Sequence, residues 1–523
     1  MYISYKEKNI TEEKRKQNNE NYIKSEMIKQ KEYFDNMFKK IDQNIVLDEN
    51  QRRIILTDEK YTMVIAGAGS GKTTTITAKV NYLIEKQKIK DEEIIIISFT
   101  NKAVEELRNR INNDFKHNVN VTTFHKLGYQ IIKENKKNPP KINKDTELLK
   151  KCIPKKRVKI NIKGNKIIKY IKNIIKKIKN NILDISENQI PQKDINIYQQ
   201  YISLYKSKQD QKLDKQMEKI YNKYQNHLKQ TNTIDFDDII NEANEIIKTK
   251  SEINLKYKYI IIDEYQDISE NRYDLIQNIS KRTNAKIMVV GDDWQCIYSF
   301  ASSNINLFTN FKNNVEYCEI LKIEKTYRNS QQLIDIAGEF IQKNNKQIKK
   351  QLTSNKNLEN PITLIMYKNK QIKKAINKSI EYIIKKYGTA KNILILGRYQ
   401  FDKNNILGNE IIEMQNNKLI YENHKDIKID YMTVHSAKGL GYDNVILINA
   451  KEGKMGFPSK KITNKLLRNL IIEDKDIKYA EERRLFYVAL TRTKNEILIL
   501  TPTTNYSEFI KEIKNKCNKI KIK

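Results

Sequence analysis

The segment Ala66-Gly67-Ala68-Gly69-Ser70-Gly71-Lys72-Thr73 lies between an apolar run and a segment of helical character. The apolar run covers residues 63–65, and the helical segment covers residues 74–85. A glycine-rich loop between a strand and a helix lets backbone N–H groups surround phosphate oxygens at the positive end of the helix. The pattern therefore predicts a nucleotide-binding loop within an α/β domain.

The residue types in this loop suit a nucleoside triphosphate with Mg²⁺. Lys72 is placed to reach the β- and γ-phosphates, and Thr73 offers a hydroxyl group to the metal ion. Ala66 stands where the strict pattern has glycine. The predicted nucleotide-binding residues of the loop and of the first helical turn are Ala66, Gly67, Ala68, Gly69, Ser70, Gly71, Lys72, Thr73 and Thr74.

Length and composition limit the classes of protein to which this chain can belong. At 523 residues the chain is too long for one compact core and predicts about three or four domains. Hydrophobic residues make up 39%, no apolar run reaches about 18 residues, and the N-terminus is charged. We therefore expect a cytosolic protein with neither a membrane span nor a signal peptide. Four widely separated cysteines predict neither a zinc site nor a disulfide framework.

The net charge of +34 makes nucleic acid the leading candidate partner, since a basic surface attracts polyanions through counterion release. An AT-rich genome, which inflates lysine, asparagine and isoleucine, is an alternative origin of the excess charge. In residues 150–179 lysines recur almost every second or third residue, and this pattern has two interpretations. They form either a solvated amphipathic face or a helical arm that faces nucleic acid.

Short runs rich in isoleucine and valine predict strands that are buried on both faces of parallel sheets. They fall in two successive clusters, which indicates two doubly wound α/β domains. The predicted strands are residues 63–65, 94–97, 259–262, 287–290, 320–323, 362–366, 393–396, 445–448 and 497–500.

The short runs rich in isoleucine and valine that predict strands are absent from both the N-terminal region and a lysine-rich segment of the first domain. Helical spacing over residues 22–41 places Phe34, Met37 and Phe38 on one apolar face. The predicted parts are N-terminal accessory helices (1–46), a first ATP-binding domain (47–126 and 232–325), a basic helical insert (127–231) and a second α/β domain (326–523).

An acidic pair follows the predicted strand 259–262, within Asp263-Glu264-Tyr265-Gln266-Asp267. The carboxyl ends of parallel strands are where ligands bind in such sheets, so Asp263 can hold Mg²⁺ while Glu264 orients or deprotonates the attacking water. Alone, this cluster is more typical of an acidic surface. Beside the phosphate loop, it predicts ATP hydrolysis.

A third strand end leads into residues 291–300, which contain a glutamine and two aromatic rings. Gln295 is placed to touch a γ-phosphate or a water molecule. Tyr298 and Phe300 are spaced to present their ring faces to bases, although core packing is an equal alternative for them.

Two arginines are candidates for γ-phosphate contacts. Arg328 follows the strand that ends at residue 323, and Arg492 ends a predicted helix over residues 481–492. Arginines that reach the γ-phosphate from a second domain stabilise transition-state charge and couple hydrolysis to domain closure. Ordinary surface ion pairs are the alternative for either arginine.

In their order along the chain, these motifs resemble superfamily 1 DNA helicases of the UvrD/Rep type. The Asp-Asp-Trp-Gln sequence around Trp294 is more similar to the helicase IV branch than to other branches. The similarity is collinear from about residue 22 to residue 502, and it adds Gln51 within 47–52 and the segments 98–103, 122–125, 234–238 and 433–440.

The resemblance implies that ATP and Mg²⁺ bind between two RecA-like domains. It assigns Gln51 and Tyr327 to adenine, and Arg328 and Arg492 to the γ-phosphate. It also implies a 3′→5′ motor on single-stranded DNA, and tailed duplexes as substrates. The positions that match DNA contacts of the family are Phe99, Asn101, His125, Tyr298 and Phe300.

Three departures from the family pattern bear on the coupling of hydrolysis to movement. Gly441 replaces a glutamate that contacts the ribose, and Ala301 replaces an arginine beside the DNA-binding aromatics. Only a short stretch separates Arg398 from Tyr431, where relatives carry a large helical subdomain. We therefore expect that subdomain to be missing or vestigial.

Two functions of different class follow from the sequence. The leading one is an ATP-dependent DNA helicase or translocase in repair, recombination or replication restart, with a possible protein that loads it. The alternative is a nucleic-acid-stimulated ATPase subunit of a phage-defence or nuclease complex that does not itself unwind. A basic DNA coat protein without enzymatic activity is disfavoured by the complete hydrolytic set.

Overall fold

A computed structural model describes residues 2–5, 10–143, 145, 148–152, 208–299, 303–368, 371–408, 410–414, 419–460 and 477–521. Within these ranges the strands are β1 (Tyr61–Ala66), β2 (Ile94–Ser98), β3 (Asn120–Thr123), β4 (Lys141–Ile142), β5 (Thr233–Ile234), β6 (Tyr259–Ile262), β7 (Lys286–Gly291), β8 (Glu319–Ile323), β9 (Ile362–Tyr367), β10 (Ile393–Gly397), β11 (Ile411–Glu413), β12 (Leu419–Tyr421), β13 (Ile429–Thr433), β14 (Asn444–Leu447), β15 (Ile497–Pro502) and β16 (Asn518–Lys521).

The described α-helices, numbered in chain order, are α1 (Glu12–Lys29), α2 (Lys31–Asn36), α3 (Glu49–Leu56), α4 (Lys72–Glu85), α5 (Asn101–Arg108), α6 (Phe124–Asn135), α7 (Leu148–Cys152), α8 (Lys208–Gln230), α9 (Phe236–Thr249), α10 (Glu270–Thr283), α11 (Asn306–Thr309), α12 (Gln331–Gln342), α13 (Ile372–Tyr387), α14 (Ala480–Leu490) and α15 (Glu508–Ile513). None of them combines the length and the apolar composition that a membrane crossing requires.

A six-stranded sheet, with strand order β3-β2-β6-β7-β1-β8, contains the phosphate loop. All of its strands run parallel, so the segments that follow them share one edge of the sheet. The run Ile94–Ile97 is fully buried, because separate apolar clusters cover the two faces of the sheet. The fold thus brings the loop after β1 beside the acidic residues after β6 and the glutamine after β7.

The second sheet has eight strands in the order β11-β12-β13-β10-β14-β15-β9-β16. It is parallel except for the edge, where β12 pairs antiparallel with both β11 and β13. Apolar clusters again cover both faces. The predicted α/β class, with two parallel sheets, is therefore confirmed.

All nine predicted strands are present, but the sequence did not predict β3, β4, β5, β11, β12, β13 and β16. These strands are short or carry polar residues, as in Asn120-Val-Thr-Thr123 of β3 and Ile429-Asp-Tyr-Met-Thr433 of β13. Each therefore lacks the continuous apolar run that marks a strand buried on both faces.

The helical spacing over residues 22–41 is only partly confirmed, because the helix is interrupted at Gln30 and residues 37–41 form turns. Helix α1 ends at Lys29 and is capped by Gln30, whose N–H donates to the carbonyls of Glu26 and Ile28, and α2 ends at Asn36. Both helices nevertheless contribute to one cluster that packs on α3 and α4. Phe34 and Phe38 are buried there as predicted, and Met37 is half-buried.

Ion pairs also attach these helices to α3. Arg52 Nη2 lies 2.5 Å from Asp35 Oδ1, and Arg53 pairs with Glu20. Since α3 carries Gln51, the N-terminal helices support a residue that the sequence assigns to the nucleotide.

Between β3 and β6 the described chain is mostly helical, comprising α6, α7, α8 and α9 beside the short β4–β5 pair. Apart from residues 150–152, the lysine-rich segment 150–179 lies outside the described residues. In the second sheet, the stretch from Arg398 to Tyr431 contains a short 3₁₀ segment and the β11–β12 hairpin among its described residues.

The two sheets meet at Trp294, which follows β7 of the first sheet. Its indole ring packs into the apolar cluster of the second sheet, with its centroid 5.3 Å from that of Tyr487 in α14. Its Nε1 donates to the Ile348 carbonyl at 3.0 Å. The strand ends of the first sheet are therefore in direct contact with helices of the second.

Candidate functional site

The phosphate loop between β1 and α4 has a backbone that requires glycine. Gly69 (φ +71°) and Gly71 (φ +83°) are left-handed, and Gly71 directly precedes the helix. A Cβ on Gly67 would lie 2.5 Å from Leu352 Cδ2. The buried Ser70 Oγ has no hydrogen-bond partner among the described residues. The loop combines helix N-terminal N–H groups with an unsatisfied hydroxyl group, which suits a phosphate.

The segment that follows β8 lies directly against this loop. Thr326 Oγ1 donates to the Ala68 carbonyl at 2.8 Å, and the Tyr327 N–H donates to the Gly69 carbonyl at 3.0 Å. A Cβ on Gly69 would lie 2.5 Å from Arg328 Cβ. Two of the predicted nucleotide contacts, Tyr327 and Arg328, therefore adjoin the loop.

Lys72, the first residue of α4, forms a close ion pair with Glu264. Gln266 Nε2 donates to the other Glu264 oxygen at 2.6 Å, and Lys438 Nζ lies 3.8 Å from that oxygen. Burial opposes ionisation of Glu264, but the ammonium groups of Lys72 and Lys438 outweigh it and lower the Glu264 pKa to about 2. Glu264 is therefore a carboxylate at neutral pH.

Asp263 and Thr73 supply oxygen atoms at the same edge of the sheet. Asp263 is buried, and its Oδ1 accepts the Glu264 N–H at 2.9 Å. Burial, reinforced by the charge of Glu264, raises the Asp263 pKa to about 7. Thr73 is half-buried in the first turn of α4. Carboxylate and hydroxyl oxygens are suitable ligands for Mg²⁺, and a cation there would favour the ionised form of Asp263.

Gln295 and Arg492 meet across the two sheets. Gln295 Nε2 donates to Asp292 Oδ2 at 2.6 Å, and Gln295 Oε1 accepts from Arg492 Nη2 at 3.0 Å. Arg492 follows the end of α14 and is only 1% exposed. Burial, followed by repulsion from Arg328, lowers the Arg492 pKa to about 9. The described residues offer this guanidinium no carboxylate partner, so an anion in the cleft would stabilise it.

Arg328 is the second guanidinium of the cleft. Its Nη1 donates to the Thr491 carbonyl at 3.4 Å, and burial lowers its pKa. A Cβ on Gly441 would lie 3.0 Å from Arg328 Nε. Glycine at 441, which departs from the family pattern, thus gives Arg328 the space that a side chain would take.

Gln51 is buried beside the loop, and its side-chain amide group is already hydrogen-bonded. Its Oε1 accepts the Asp48 N–H at 3.0 Å, and its Nε2 donates to Thr75 Oγ1 at 3.1 Å. Tyr327 is 42% exposed, and its hydroxyl donates to Asp48 Oδ2 at 3.0 Å. The two side chains assigned to adenine therefore share Asp48, and Gln51 must exchange a partner to bind a base.

Most of the predicted DNA contacts lie where β2 and β3 end, since Ser98 pairs with Thr123 in register. The Phe99 ring centroid is 5.1 Å from that of Phe124. Asn101 is exposed at the start of α5, and His125 is half-exposed on α6.

Tyr298 lies apart from that group, against the second sheet. Its hydroxyl donates to the His435 carbonyl at 3.0 Å, and Lys438 Nζ lies 4.9 Å from its ring centroid. Lys438 also lies 2.5 Å from Asp267 Oδ2. Phe300 and Ala301 lie outside the described residues.

The sequence did not single out two residues that the structure places beside predicted site residues. Phe236, at the start of α9, is 57% exposed, and its ring centroid is 5.6 Å from that of His125. Lys438 bridges Asp267 and Glu264 from the second sheet. Both residues stand in motif segments noted above, but the motifs alone did not single out their side chains.

Comparison with known families agrees with this arrangement. The UvrD/REP helicase N-terminal domain matches residues 47–316, and the UvrD-like helicase C-terminal domain matches residues 404–504. The first match contains the phosphate loop, Glu264 and Gln295. The second contains Gly441 and Arg492.

Individual relatives are similar over much of the chain. DNA helicase IV of Escherichia coli (strain K12) is 28% identical over 96% of this chain and 74% of its own length. ATP-dependent DNA helicase Rep of Buchnera aphidicola subsp. Acyrthosiphon pisum is 30% identical over 68% of this chain. A probable DNA helicase II homolog of Mycoplasma capricolum is 28% identical over 68%. The chain spans only 55% and 49% of the last two relatives.

The N-terminal domain match alone covers just over half of the 523 residues, and the C-terminal match follows it in the expected order. On these matches, the chain belongs to the UvrD/Rep helicase family.

Proposed function

We propose that this protein is an ATP-dependent DNA helicase that moves 3′→5′ on single-stranded DNA, in repair, recombination or replication restart. The observation that carries the proposal is the meeting of Arg492 with Gln295, which joins a side chain of the second sheet to the phosphate-loop edge of the first. Family membership supports helicase activity, and the relatives named above are DNA helicases.

The positions of the site residues support the following roles in ATP binding and hydrolysis. Lys72 and the N–H groups of the loop would hold the phosphates, and Thr73 and Asp263 would hold Mg²⁺. Glu264, which is ionised, would accept a proton from the attacking water. Mg²⁺ would neutralise phosphate charge during transfer. Gln51 and Tyr327 flank the base.

Gln295, Arg328 and Arg492 complete the site from the other side of the loop. Both guanidinium groups lack a carboxylate partner among the described side chains, and a γ-phosphate would supply the missing negative charge. Because Arg492 belongs to the second sheet, hydrolysis depends on how closely the two sheets approach. We propose the division 47–126 with 232–325 and 326–523 for the two motor domains, with 1–46 and 127–231 as accessory parts.

Single-stranded DNA would cross the sheet edge formed by Phe99, Asn101 and His125 and continue to Tyr298. We add Phe236 to this set because an aromatic ring that is largely exposed beside His125 suits base stacking. Lys438 supports coupling, since it contacts Tyr298 on the DNA side and Asp267 and Glu264 on the ATP side.

The Lys72→Ala variant tests whether the loop serves ATP hydrolysis. Single-stranded DNA should stimulate the ATPase activity of the wild-type protein strongly, and the substitution should lower the stimulated rate by on the order of 10²–10³-fold. Steady-state ATPase assays with and without oligonucleotide measure both effects. Lys86→Ala, at the exposed end of the same helix, should retain activity. Equal ATPase rates with and without DNA would contradict the motor function.

Strand-displacement assays on tailed duplexes test unwinding and direction. We expect ATP-dependent displacement from a duplex with a 3′ single-stranded tail and none from a duplex with a 5′ tail. Displacement from the 5′ tail alone would overturn the proposed direction. If neither duplex is unwound while DNA still stimulates ATP hydrolysis, the helicase activity is refuted and the subunit that does not unwind is favoured.

The Phe236→Ala variant tests the DNA path. Loss of one stacked base should weaken single-stranded DNA binding by about 5- to 100-fold, which fluorescence anisotropy with a labelled oligonucleotide measures. The ATPase rate at saturating DNA should change little. Tyr5→Ala is the matched control, because Tyr5 is 43% exposed but stacks on Tyr317, away from this edge. Equal affinity in both variants would remove Phe236 from the path.

A further inference from the structure

We propose that Lys350 is a positioning residue for ATP hydrolysis, which holds Asp292 and through it orients Gln295 and Arg492. The inference rests on the proposed function, because it assigns a role within the same ATP site. Lys350 belongs to none of the motifs that the sequence singled out.

Lys350 is a lysine buried among acidic and aromatic groups. It is 3% exposed, contacts Asp292 Oδ1, and its Nζ lies 2.7 Å from Asp293 Oδ1. The same Nζ donates to the Ala66 carbonyl at 3.3 Å and lies 4.5 Å from the Trp294 ring centroid. The ammonium group thus connects the end of β1, where the phosphate loop begins, with the end of β7.

The neighbouring residues of the chain hold Lys350 at this position. Two residues further on, Leu352 packs against Gly67, leaving no space for a Cβ there. The Thr353 N–H donates to the Glu324 carbonyl at 2.8 Å, and the Thr353 carbonyl accepts the Thr326 N–H at 2.8 Å. The segment 350–353 therefore contacts the start of the phosphate loop through Lys350 and Leu352, and it pairs through Thr353 with the segment that follows β8.

A continuous series of contacts leads from Lys350 to the candidate γ-phosphate residues. Asp292 Oδ1 contacts Lys350, and Asp292 Oδ2 accepts from Gln295 Nε2 at 2.6 Å. Gln295 Oε1 in turn accepts from Arg492 Nη2 at 3.0 Å. The Trp294 N–H donates to the same Asp292 Oδ1 at 3.1 Å, so it and Lys350 together fix one carboxylate oxygen, and the other faces Gln295.

The chemistry favours positioning over simple charge neutralisation. The Lys350 ammonium group donates to Asp292 Oδ1 and to the Ala66 carbonyl, and it forms an ion pair with Asp293. A buried charge with this arrangement has little freedom to move. A small displacement of the groups that face a reacting phosphate is enough to slow the chemical step.

The Lys350→Met variant tests the role, since methionine keeps much of the side-chain length and removes the charge. We expect kcat of the DNA-stimulated ATPase to fall by on the order of 10- to 100-fold. The affinity for a fluorescent, slowly hydrolysed ATP analogue should stay within about threefold, because a positioning role affects the transition state more than ground-state binding. An unchanged kcat in a folded variant would overturn the proposal.

Two further variants separate positioning from stability. Lys60→Met removes another buried lysine at the opposite end of β1, where its Nζ donates to the Ala285 carbonyl at 2.6 Å. It should lower the melting temperature and leave kcat unchanged. The double variant Lys350→Met with Asp293→Asn relieves part of the unpaired negative charge. It should regain thermal stability while kcat stays low.

The double variant also decides the case in which Lys350→Met alone folds poorly. If kcat recovers together with the melting temperature, Lys350 is only structural and the proposal is wrong. The wild-type protein distinguishes this failure from failure of the proposed function. A wild-type protein without DNA-stimulated ATPase activity refutes the function itself, whereas an active wild-type protein with an equally active Lys350→Met variant refutes only the role of Lys350.

Discussion

The close approach of the Thr326–Arg328 segment to the phosphate loop is the constraint on which the site depends. Two hydrogen bonds hold the segment to Ala68 and Gly69, and Gly69 lacks the side chain that would block Arg328. Since this segment joins the last strand of the first sheet to the helices of the second, it sets where the second sheet begins. The same contacts thus place the second sheet beside the edge of the first sheet that carries the phosphate loop.

Charge then determines what the cleft can bind. Lys72 and Lys438 reach Glu264 from opposite sheets, while Arg328 and Arg492 have no carboxylate partner among the described residues. A triphosphate would take Glu264's place as the partner of Lys72 and also satisfy the two guanidinium groups. Under the proposed function, nucleotide binding would therefore release Glu264 for its role as a base and draw the two sheets together.

The sequence predicted those parts of the fold that have one strong local cause. The continuous apolar runs of β2 and β6 identified buried parallel strands, and parallel strands place Lys72, Glu264 and Gln295 at one edge. Half-polar strands such as β13 gave no such signal, and residues 22–41 contain no glycine or proline that would mark the break at Gln30. Lys350 could not be found either, because its partners are distant in sequence and only the fold brings them together.

Under the proposed function, the second sheet completes the ATP site through Arg492. Single-turnover hydrolysis by the Arg492→Lys variant tests it most directly, because lysine keeps the charge but loses the planar guanidinium group. Hydrolysis should be slower by on the order of 100-fold, with the affinity for ATP nearly unchanged. A single-turnover rate equal to that of the wild-type protein would contradict it.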